Sequence, residues 1–523
     1  MKPAPSTASR HLGRLFPSIL PLGRRQLSTA PRRTVAQFLD WKPDTAVEDV
    51  VVNGHVRSVR NMKTERFVSV GDGSSRKPLQ ALVPRDQEES SNLRVGAAVR
   101  LRGSWVPSKT EGQSHELKVK HAEVLGPSDA NTFPIQKKYQ TPEFLRTMPH
   151  LRPRIPLNAS ILRLRSEAVA TLTQFFASRD FIQTHPPMIT SSDCEGAGEV
   201  FDVTTGSSET SSPNGKNKKP DLFFRSPKYL TVSTQLHLEA LAQSLGHVWT
   251  LSPTFRAEQS DTSRHMSEFY MLEAEMSFVD EMDEVMDLVE DMLRSLVTGL
   301  YGTRAAKELR ERRPPGKTRT AEDDLVSAEE IERRWSGMMT TSKWPRITYA
   351  DAIKLLQAEE HRFELKPTWE GGLHSEHEKY LAKKLGATGK DGAYMPLFVT
   401  HYPRDIKAFY MRRSTSLSSG AGEPGTTVDC FDLLVPELCE IAGGSMREHR
   451  LGELQETMES RGMVPVGGND GGNLDWYVDL RRWGSNPHGG FGLGFDRLLT
   501  YLVGVQNVRD VVAFPRWFGR CDC

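Results

Sequence analysis

Residues 255–269 read FRAEQSDTSRHMSEF. Arg256, Glu258, Asp261, Arg264, His265 and Glu268 crowd into this one run, and its flanks, HVWTLSPT (247–254) and YMLEAEMSF (270–278), are apolar. Two strand-like flanks around a charged turn predict a hairpin. Side chains alternate along a strand. Trp249, Leu251 and Phe255 therefore face one way, and Thr250, Ser252, Thr254, Arg256 and Glu258 the other. On the returning strand Phe269, Met271, Glu273 and Glu275 share a face. An arginine forks onto a phosphate as a lysine does not, and a nearby ring can stack a base. The combination suits a nucleoside triphosphate. Taken alone, it fits a solvated hairpin tip with ion pairs equally well.

A second segment narrows the reading. HGGFGLGFDRLLTYLVGV (488–505) puts Gly489, Gly490, Gly492 and Gly494 in and beside a predicted strand. Strand glycines permit the close approach of a flat ligand. Arg497 then opens a helix whose apolar face is Leu498, Leu499, Leu502 and Val503. This is neither G-x-G-x-x-G at a strand-to-helix turn nor a Walker loop, so neither a dinucleotide site nor a P-loop is implied. In a third segment, DCFDLLVPELCEIAGGSMREHR (429–450), Asp432 and Glu440 could share a divalent cation. Mg²⁺ is typically held by one or two carboxylates plus substrate phosphates. Gly443, Gly444 and Ser445 read as a tight turn before Arg447. An ordinary acidic strand end also accounts for this pattern, more readily at Asp432 than at Glu440.

The 523 residues suffice for two or three domains and a large core. No apolar run approaches the roughly 18 residues that span a bilayer. Residues 1–39 hold seven Lys/Arg and no acid, against a formal net charge of +1 for the chain. An acid-free start rich in Arg and Ser predicts a mitochondrial transit peptide over 1–33, with RRQLSTAPRR as the cleavage region. Five cysteines with no C-x-x-C pair argue against a disulfide framework and a structural zinc site. Cys521 and Cys523 read as free thiols.

Residues 34–126 contain five short β-branched runs broken by Gly, Asp, Ser and Pro, which predicts a small barrel of the OB type, with an SH3-like barrel as the structural alternative. Residues 127–157 form a Pro-rich linker with one short helix. A helix capped by Asn158 runs to about residue 180, with Leu164, Ala168, Leu172, Phe175 and Phe176 at helical spacing. The extended FIQTHPPMIT (181–190) follows it. Residues 158–523 mix strands and helices, giving an α+β chain overall. Two stretches read as insertions within it: the polar 205–221, expected as a loose loop, and the charge-dense 303–345, expected as a surface helix pair or a partly disordered insertion with no part in catalysis.

Taken in order, the segments resemble the three signature motifs of class II aminoacyl-tRNA synthetases. The helix from Asn158 with FIQTHPPMIT and Pro187 is similar to motif 1, FRAEQSDTSRHMSEF to motif 2 and GFGLGFDR to motif 3. An N-terminal OB barrel on that core resembles the aspartate, asparagine and lysine subclass. SSDCEGAGEVF (191–201), VSTQLHLEAL (232–241), EIAGGSMREHR and DLRRWGSNPHGGFGLGFDR (479–497) resemble its asparaginyl members. The family's motif 3 has Glu before its final Arg, where this chain has Asp496, so the role of Asp496 stays open.

The resemblance implies a catalytic domain with an antiparallel sheet flanked by helices. It also implies ATP and Mg²⁺ as cofactors, asparagine and tRNA(Asn) as partners, and a homodimer with Pro187 at its interface. Catalysis at phosphorus is then mostly positioning and charge neutralisation. The carried-over roles are these. Arg256 holds the α-phosphate; Phe269 and Arg497 sandwich adenine; Arg264 or His265 meets the β/γ-phosphates; and Glu258 joins Arg256 and Arg497 as a catalytic residue. Asp432 and Glu440 carry Mg²⁺ with Ser445 near it. Glu195, Gln235, Glu273 and Arg447 receive the amino acid. Phe67, Gln80 and Glu116 read the anticodon, although Phe67 also fits a barrel core.

Aspartyl relatives use an Arg, matched by Arg447, and a Lys, for which STQLHLE (233–239) has Leu238. With one cation gone, a neutral carboxamide is less costly to bury than a carboxylate. Asparagine is therefore favoured over an aspartyl or non-discriminating enzyme. A catalytically silent RNA-binding relative is disfavoured because Arg256, Phe269, Glu440 and Arg497 are all present. The barrel disfavours a relative that makes free asparagine.

Overall fold

The computed structural model describes residues 33–87, 91–108, 113–136, 138–191, 200–205, 223–311, 324–387, 392–415, 425–463 and 474–523. The transit-peptide reading (1–33, Arg33 apart), Glu195 and almost all of the 205–221 insertion lie outside them.

Strands β1 (Val47–Asn61), β2 (Glu65–Gly71), β3 (Leu79–Pro84), β4 (Ala98–Pro107) and β5 (His115–Gly126) close into a barrel in the order β1-β2-β3-β5-β4. β3 and β5 run parallel and the other pairs antiparallel. This is the expected OB-type barrel. Alternation fills it: Val68 and Val70 point in, while Phe67 and Ser69 between them are only half-buried. Helix α1 (Val35–Asp40), which sequence reading did not anticipate, packs Val35 and Phe38 into the barrel core, with Phe38 edge-on to Trp105 at 5.5 Å. It starts with a Thr34/Gln37 capping box.

The linker contains α2 (Pro142–Arg146) and a 3₁₀ turn at Arg152–Arg154. Helix α3 spans Pro156–Ala177. It begins two residues before the expected Asn158 cap, because Pro156 at the first helical position already has the required φ and no N–H to satisfy.

The second domain is built on an eight-stranded sheet. Its strands are β6 (Ile182–Gln183), β9 (His247–Phe255), β10 (Glu268–Ser277), β11 (Arg346–Thr348), β12 (Leu397–Thr400), β13 (Cys430–Val435), β14 (Cys439–Met446) and β15 (His488–Gly494). Between β6 and β9 in sequence, β7 (Ile189–Thr190) and β8 (Tyr229–Leu230) form a separate ribbon. The sheet order is β11-β12-β13-β14-β15-β10-β9-β6, antiparallel except for the edge pairs β11/β12 and β6/β9. The remaining helices are α4 (Gln235–Leu245), α5 (Met282–Tyr301), α6 (Arg304–Arg310), α7 (Ala328–Met339), α8 (Tyr349–Gln357), α9 (Ser375–Gly386), α10 (Leu451–Ser460), α11 (Asp475–Arg482) and α12 (Phe495–Val503).

One sheet face, through Leu272, Ala274, Phe491, Leu493 and Leu433, shares a core with α3, α5, α6, α7 and α12. The register fixes what the other face carries. Met271 lies opposite Gly494, Glu273 opposite Gly492, and Gly492 opposite Gly443, which lies opposite Asp432. Gly443, Gly444 and Ser445 thus sit inside strand β14 and not in the expected turn.

The 303–345 stretch is not a surface insertion. Ala305, Ala306 and Leu309 of α6 and Ile331, Trp335 and Met338 of α7 belong to the main core, and Trp335 Nε1 donates to Leu502 O at 2.8 Å. The charges occupy the outer faces of these helices and masked the apolar stripe beneath. Residues 312–323 lie outside the described ones.

Candidate active site

The motif 2 hairpin and the start of α12 enclose a cleft. Arg256, Glu258, Arg264, His265, Phe269, Glu440 and Arg497 all line it, over a floor that includes Gly492 and Gly494. The seven residues come from three chain segments, and sequence reading had named every one. The Arg256 guanidinium lies 5.6 Å from the Phe269 ring centroid. Glu258 stands between Arg256 and His265, 3.9 Å from Arg256 Nη1 and 3.6 Å from His265 Nε2. Arg264 is steadied by donating to Ser375 Oγ at 2.6 Å, and Arg497 by donating to Glu440 O at 3.0 Å. Partial burial pulls the His265 pKa down, against Glu258 and with help from Arg497, Arg264 and Arg256. The rim is therefore electropositive while the imidazole itself leans neutral.

The loop carrying Arg264 and His265 is held from behind by buried Arg509. Its Nη1 meets Asp261 Oδ1 at 2.8 Å and its Nη2 donates to Thr262 O at 3.2 Å, while Val508 N donates to Ser263 O at 2.9 Å. Asp496 has a clear position. It is buried, ion-paired with Arg165 of α3, and accepts the Tyr270 N–H at 2.8 Å. The shorter acid thus ties α12 to α3 and β10.

Asp432 and Glu440 converge over Gly443. A Cβ on that glycine would stand 3.1 Å from Glu440 Oε1 and 3.3 Å from Asp432 Oδ1. Lys407 Nζ donates to both Asp432 oxygens, at 2.9 and 2.7 Å. Burial and the Asp432 charge push the Glu440 carboxyl up, against Lys407, Arg497 and Arg256. Glu378 of α9 is a third carboxylate that sequence reading missed, pushed up to about 7 by burial, Glu440 and Asp432. Among the described residues no three such side chains are placed to hold a metal ion together, but Asp432 and Glu440 could share a divalent cation that relieves their mutual repulsion. Ser445 does not join it: its Oγ accepts from Arg447 Nη1 at 2.6 Å, one pleat further along β14.

Beyond Gly492 the face becomes a buried charge network. Arg447 pairs with Glu275 at 2.9 Å, both almost fully enclosed. Glu239, also missed from sequence, accepts from Arg481 (2.6 Å), Tyr477 Oη (2.8 Å), His488 Nε2 (3.1 Å) and Gln235 Nε2 (3.0 Å). Burial would raise the Glu239 carboxyl, but Arg481 and His488 hold it well below the usual carboxylate range. Glu273 differs from expectation. Both its oxygens accept from the start of α4: Ser233 Oγ at 2.5 Å, the Thr234 amide at 3.0 Å, and the Thr234 hydroxyl. It therefore anchors the residues that lead into α4 and has little capacity left for a ligand, while Glu239 orients the Gln235 side chain. Leu238 is likewise displaced from the expected pocket wall. It lies buried with Ala242 and Val248, and its neighbour Glu239 faces the polar interior.

Residues 141–518 match the family described as tRNA synthetases class II (D, K and N). The chain belongs to this family. It is 39% identical over 505 residues to the mitochondrial asparagine--tRNA ligase of Saccharomyces cerevisiae, covering 92% of this chain and 95% of that one. The human asparaginyl-tRNA synthetase is 38% identical over 476 residues, with 91% of each chain covered. Among solved structures, the Pyrococcus horikoshii asparaginyl-tRNA synthetase complexed with asparaginyl-adenylate superposes with a TM-score of 0.76 at 26% identity. That match covers 94% of this chain and 99% of that one.

In this class II synthetase the barrel gathers its three expected base-reading residues on one outer face. Phe67 and Ser69 share a face of β2, and Ser69 lies opposite Gln80. Ala81 lies beside Leu117 on the parallel β5, so Gln80 lies beside Glu116 one residue back. Phe67 is half-buried, 5.1 Å beneath the Arg60 guanidinium, and is not a core residue. Glu116 is 9% exposed and accepts from Ser108 and Gln113. Pro187 is exposed on the segment between β6 and β7, beside exposed Met188 and Ile189.

Proposed function

We propose that this synthetase joins asparagine to mitochondrial tRNA(Asn), using ATP and passing through an asparaginyl-adenylate. The observation that carries the choice of amino acid is the prior neutralisation of Arg447 by Glu275, with anionic Glu239 close enough to act on Arg447. An aspartate side chain would find the pocket's cation already paired and a buried carboxylate facing it. A carboxamide can accept from Arg447 and donate towards Glu239 at once. Removing one partner of a buried charge pair is strongly unfavourable, so the pocket resists rearrangement to admit an anion.

ATP lies across the glycine floor. Phe269 stacks adenine and Arg497 covers its other face. Arg256, braced by Glu258, holds the α-phosphate in line with the incoming asparagine carboxylate oxygen. That oxygen forms the new P–O bond while the bond to pyrophosphate breaks, and Arg264 and His265 take up charge on the leaving group. A terminal ribose hydroxyl of tRNA then attacks the acyl carbon and AMP leaves. Asp432 and Glu440 would hold Mg²⁺, which would supply positive charge to offset that of the phosphates. Gln235, oriented by Glu239, receives the substrate's polar groups with Arg447, and Glu195 is assigned to the same pocket. Phe67, Gln80 and Glu116 read the anticodon. The acid-free 1–33 segment directs the chain to the matrix, and the Pro187 surface pairs two copies.

ATP–pyrophosphate exchange by the full chain, with asparagine and aspartate compared side by side and Mg²⁺ titrated, tests this. Exchange with asparagine alone, dependent on Mg²⁺, is expected. Equal exchange with aspartate would overturn the specificity. Glu440→Gln should raise the Mg²⁺ concentration required.

A further inference from the structure

One carboxylate bonds to both the barrel and the catalytic domain where they meet. Glu308, on α6, is 11% exposed, and its two oxygens serve different domains. Oε1 accepts from Ser75 Oγ at 3.1 Å and from the Arg76 amide at 3.0 Å, both in the loop between β2 and β3. Oε2 accepts from Ser160 Oγ at 3.0 Å and Arg163 Nη2 at 2.5 Å, both on α3. The same contacts are closed from the sides. Arg76 Nη1 donates to the Glu308 carbonyl at 2.5 Å, and Arg163 Nη1 donates to Ser74 O at 2.8 Å.

The gripped loop joins the two strands that carry Phe67 and Gln80. Its far side is pinned within the barrel, where Val35 N and Ala36 N donate to Asp72 and Ser74. Displacing residues 72–77 therefore tilts the whole base-reading face. On the other side, α3 reaches the catalytic cleft through the Arg165–Asp496 pair two residues beyond Arg163. Glu308 is thus the shared acceptor of a junction that also holds the Arg163–Ser74 carbonyl bond and the Arg304–Asp40 ion pair, and it helps to fix the angle between the barrel's outer face and the cleft.

We propose that Glu308 is a positioning residue for tRNA: it sets the distance and angle between the base-reading face and the adenylate, and takes no part in adenylate formation. This rests on the synthetase reading given above. Misplacement of a reacting group by about an ångström can lower a rate by up to about a hundredfold. That loss should fall on the tRNA-dependent step alone.

The test compares Glu308→Gln with the wild-type full chain. The substitution places an amide donor where Arg163 and Ser160 also donate. ATP–pyrophosphate exchange with asparagine should be unchanged in kcat and in KM for ATP and asparagine. Aminoacylation of tRNA should lose about tenfold or more in kcat/KM, mainly through KM for tRNA. Arg76→Ala, which removes the side-chain bonds from the barrel loop to the Glu308 and Glu311 carbonyls, should show the same split. Combining Glu308→Gln with Phe67→Ala should cost little beyond Phe67→Ala alone, because both act through one face. The proposal is overturned by exchange falling in parallel with aminoacylation, by unchanged aminoacylation, or by full multiplication of the two effects. Wild-type exchange with asparagine tests the underlying synthetase reading separately, before any variant is compared.

Discussion

Arg447 and Glu275 form an enclosed ion pair, 2.9 Å between Nη2 and Oε2 and at most 3% exposed on either side. It joins β10 to the chain leaving β14 at the amino-acid end of the cleft. Burial alone would lower the guanidinium pKa, but Glu275, with Glu239 and Tyr410, more than offsets it and holds it above the ordinary value. Glu275→Gln leaves that cation without its counter-ion. Stability should fall by about 3–5 kcal/mol, the usual cost of orphaning a buried charge. The preference for asparagine over aspartate should narrow, since a carboxylate can now meet Arg447. Thermal unfolding and exchange with both amino acids measure the two effects. An unchanged preference would show that Arg447 does not govern selection.

Arg256 presents a fork where a lysine presents a point charge. Arg256→Lys should lower kcat for adenylate formation by about 10²–10³, the range for losing one preorganised donor at developing charge. The side chain is 28% exposed, so Tm should move little. Single-turnover adenylate formation at saturating ATP checks this. A loss confined to KM for asparagine would contradict the assignment.

Phe67 offers its ring from the outer face of β2. Loss of base stacking on an exposed aromatic costs about 1–3 kcal/mol, or about 5- to 150-fold in tRNA affinity. Phe67→Ala should show that loss in direct tRNA binding with little change in Tm. A large fall in Tm would instead assign the ring to the barrel's packing.

The domain junction carries its own pH dependence. Burial raises the Glu308 carboxyl, but Arg163, the Arg76 amide and Ser160 lower it more, so its folded pKa lies below the ordinary 4.5. A depressed acid contributes its full stability above its unfolded pKa and loses it as pH falls through the folded value. Wild type should exceed Glu308→Gln in stability above about pH 4.5, and the two unfolding curves should converge below it. Urea melts across that range would reveal it.

Much of this protein was legible without a structure. The barrel strands, the hairpin of β9 and β10, the glycine strand and the seven cleft residues all follow from local pattern. Period-2 alternation and fixed motif spacings report facing directly, because backbone geometry dictates which neighbours share a face. What a side chain does with its polar atoms was not legible. Glu273, Ser445 and Leu238 were correctly placed along the chain, but their partners or packing assign them other work. Glu239, Glu378 and Glu308 gave no signal, since their partners are remote: Arg481 is 242 residues from Glu239, and Ser160 is 148 from Glu308. The core role of residues 303–345 was hidden by charge on the outward faces of α6 and α7. Elements, their order and the residues that line the cleft are encoded at short range, so the amino-acid order alone specified them. Which buried charges are already spent on each other emerged only on folding, because pairing depends on distances that chain position does not contain.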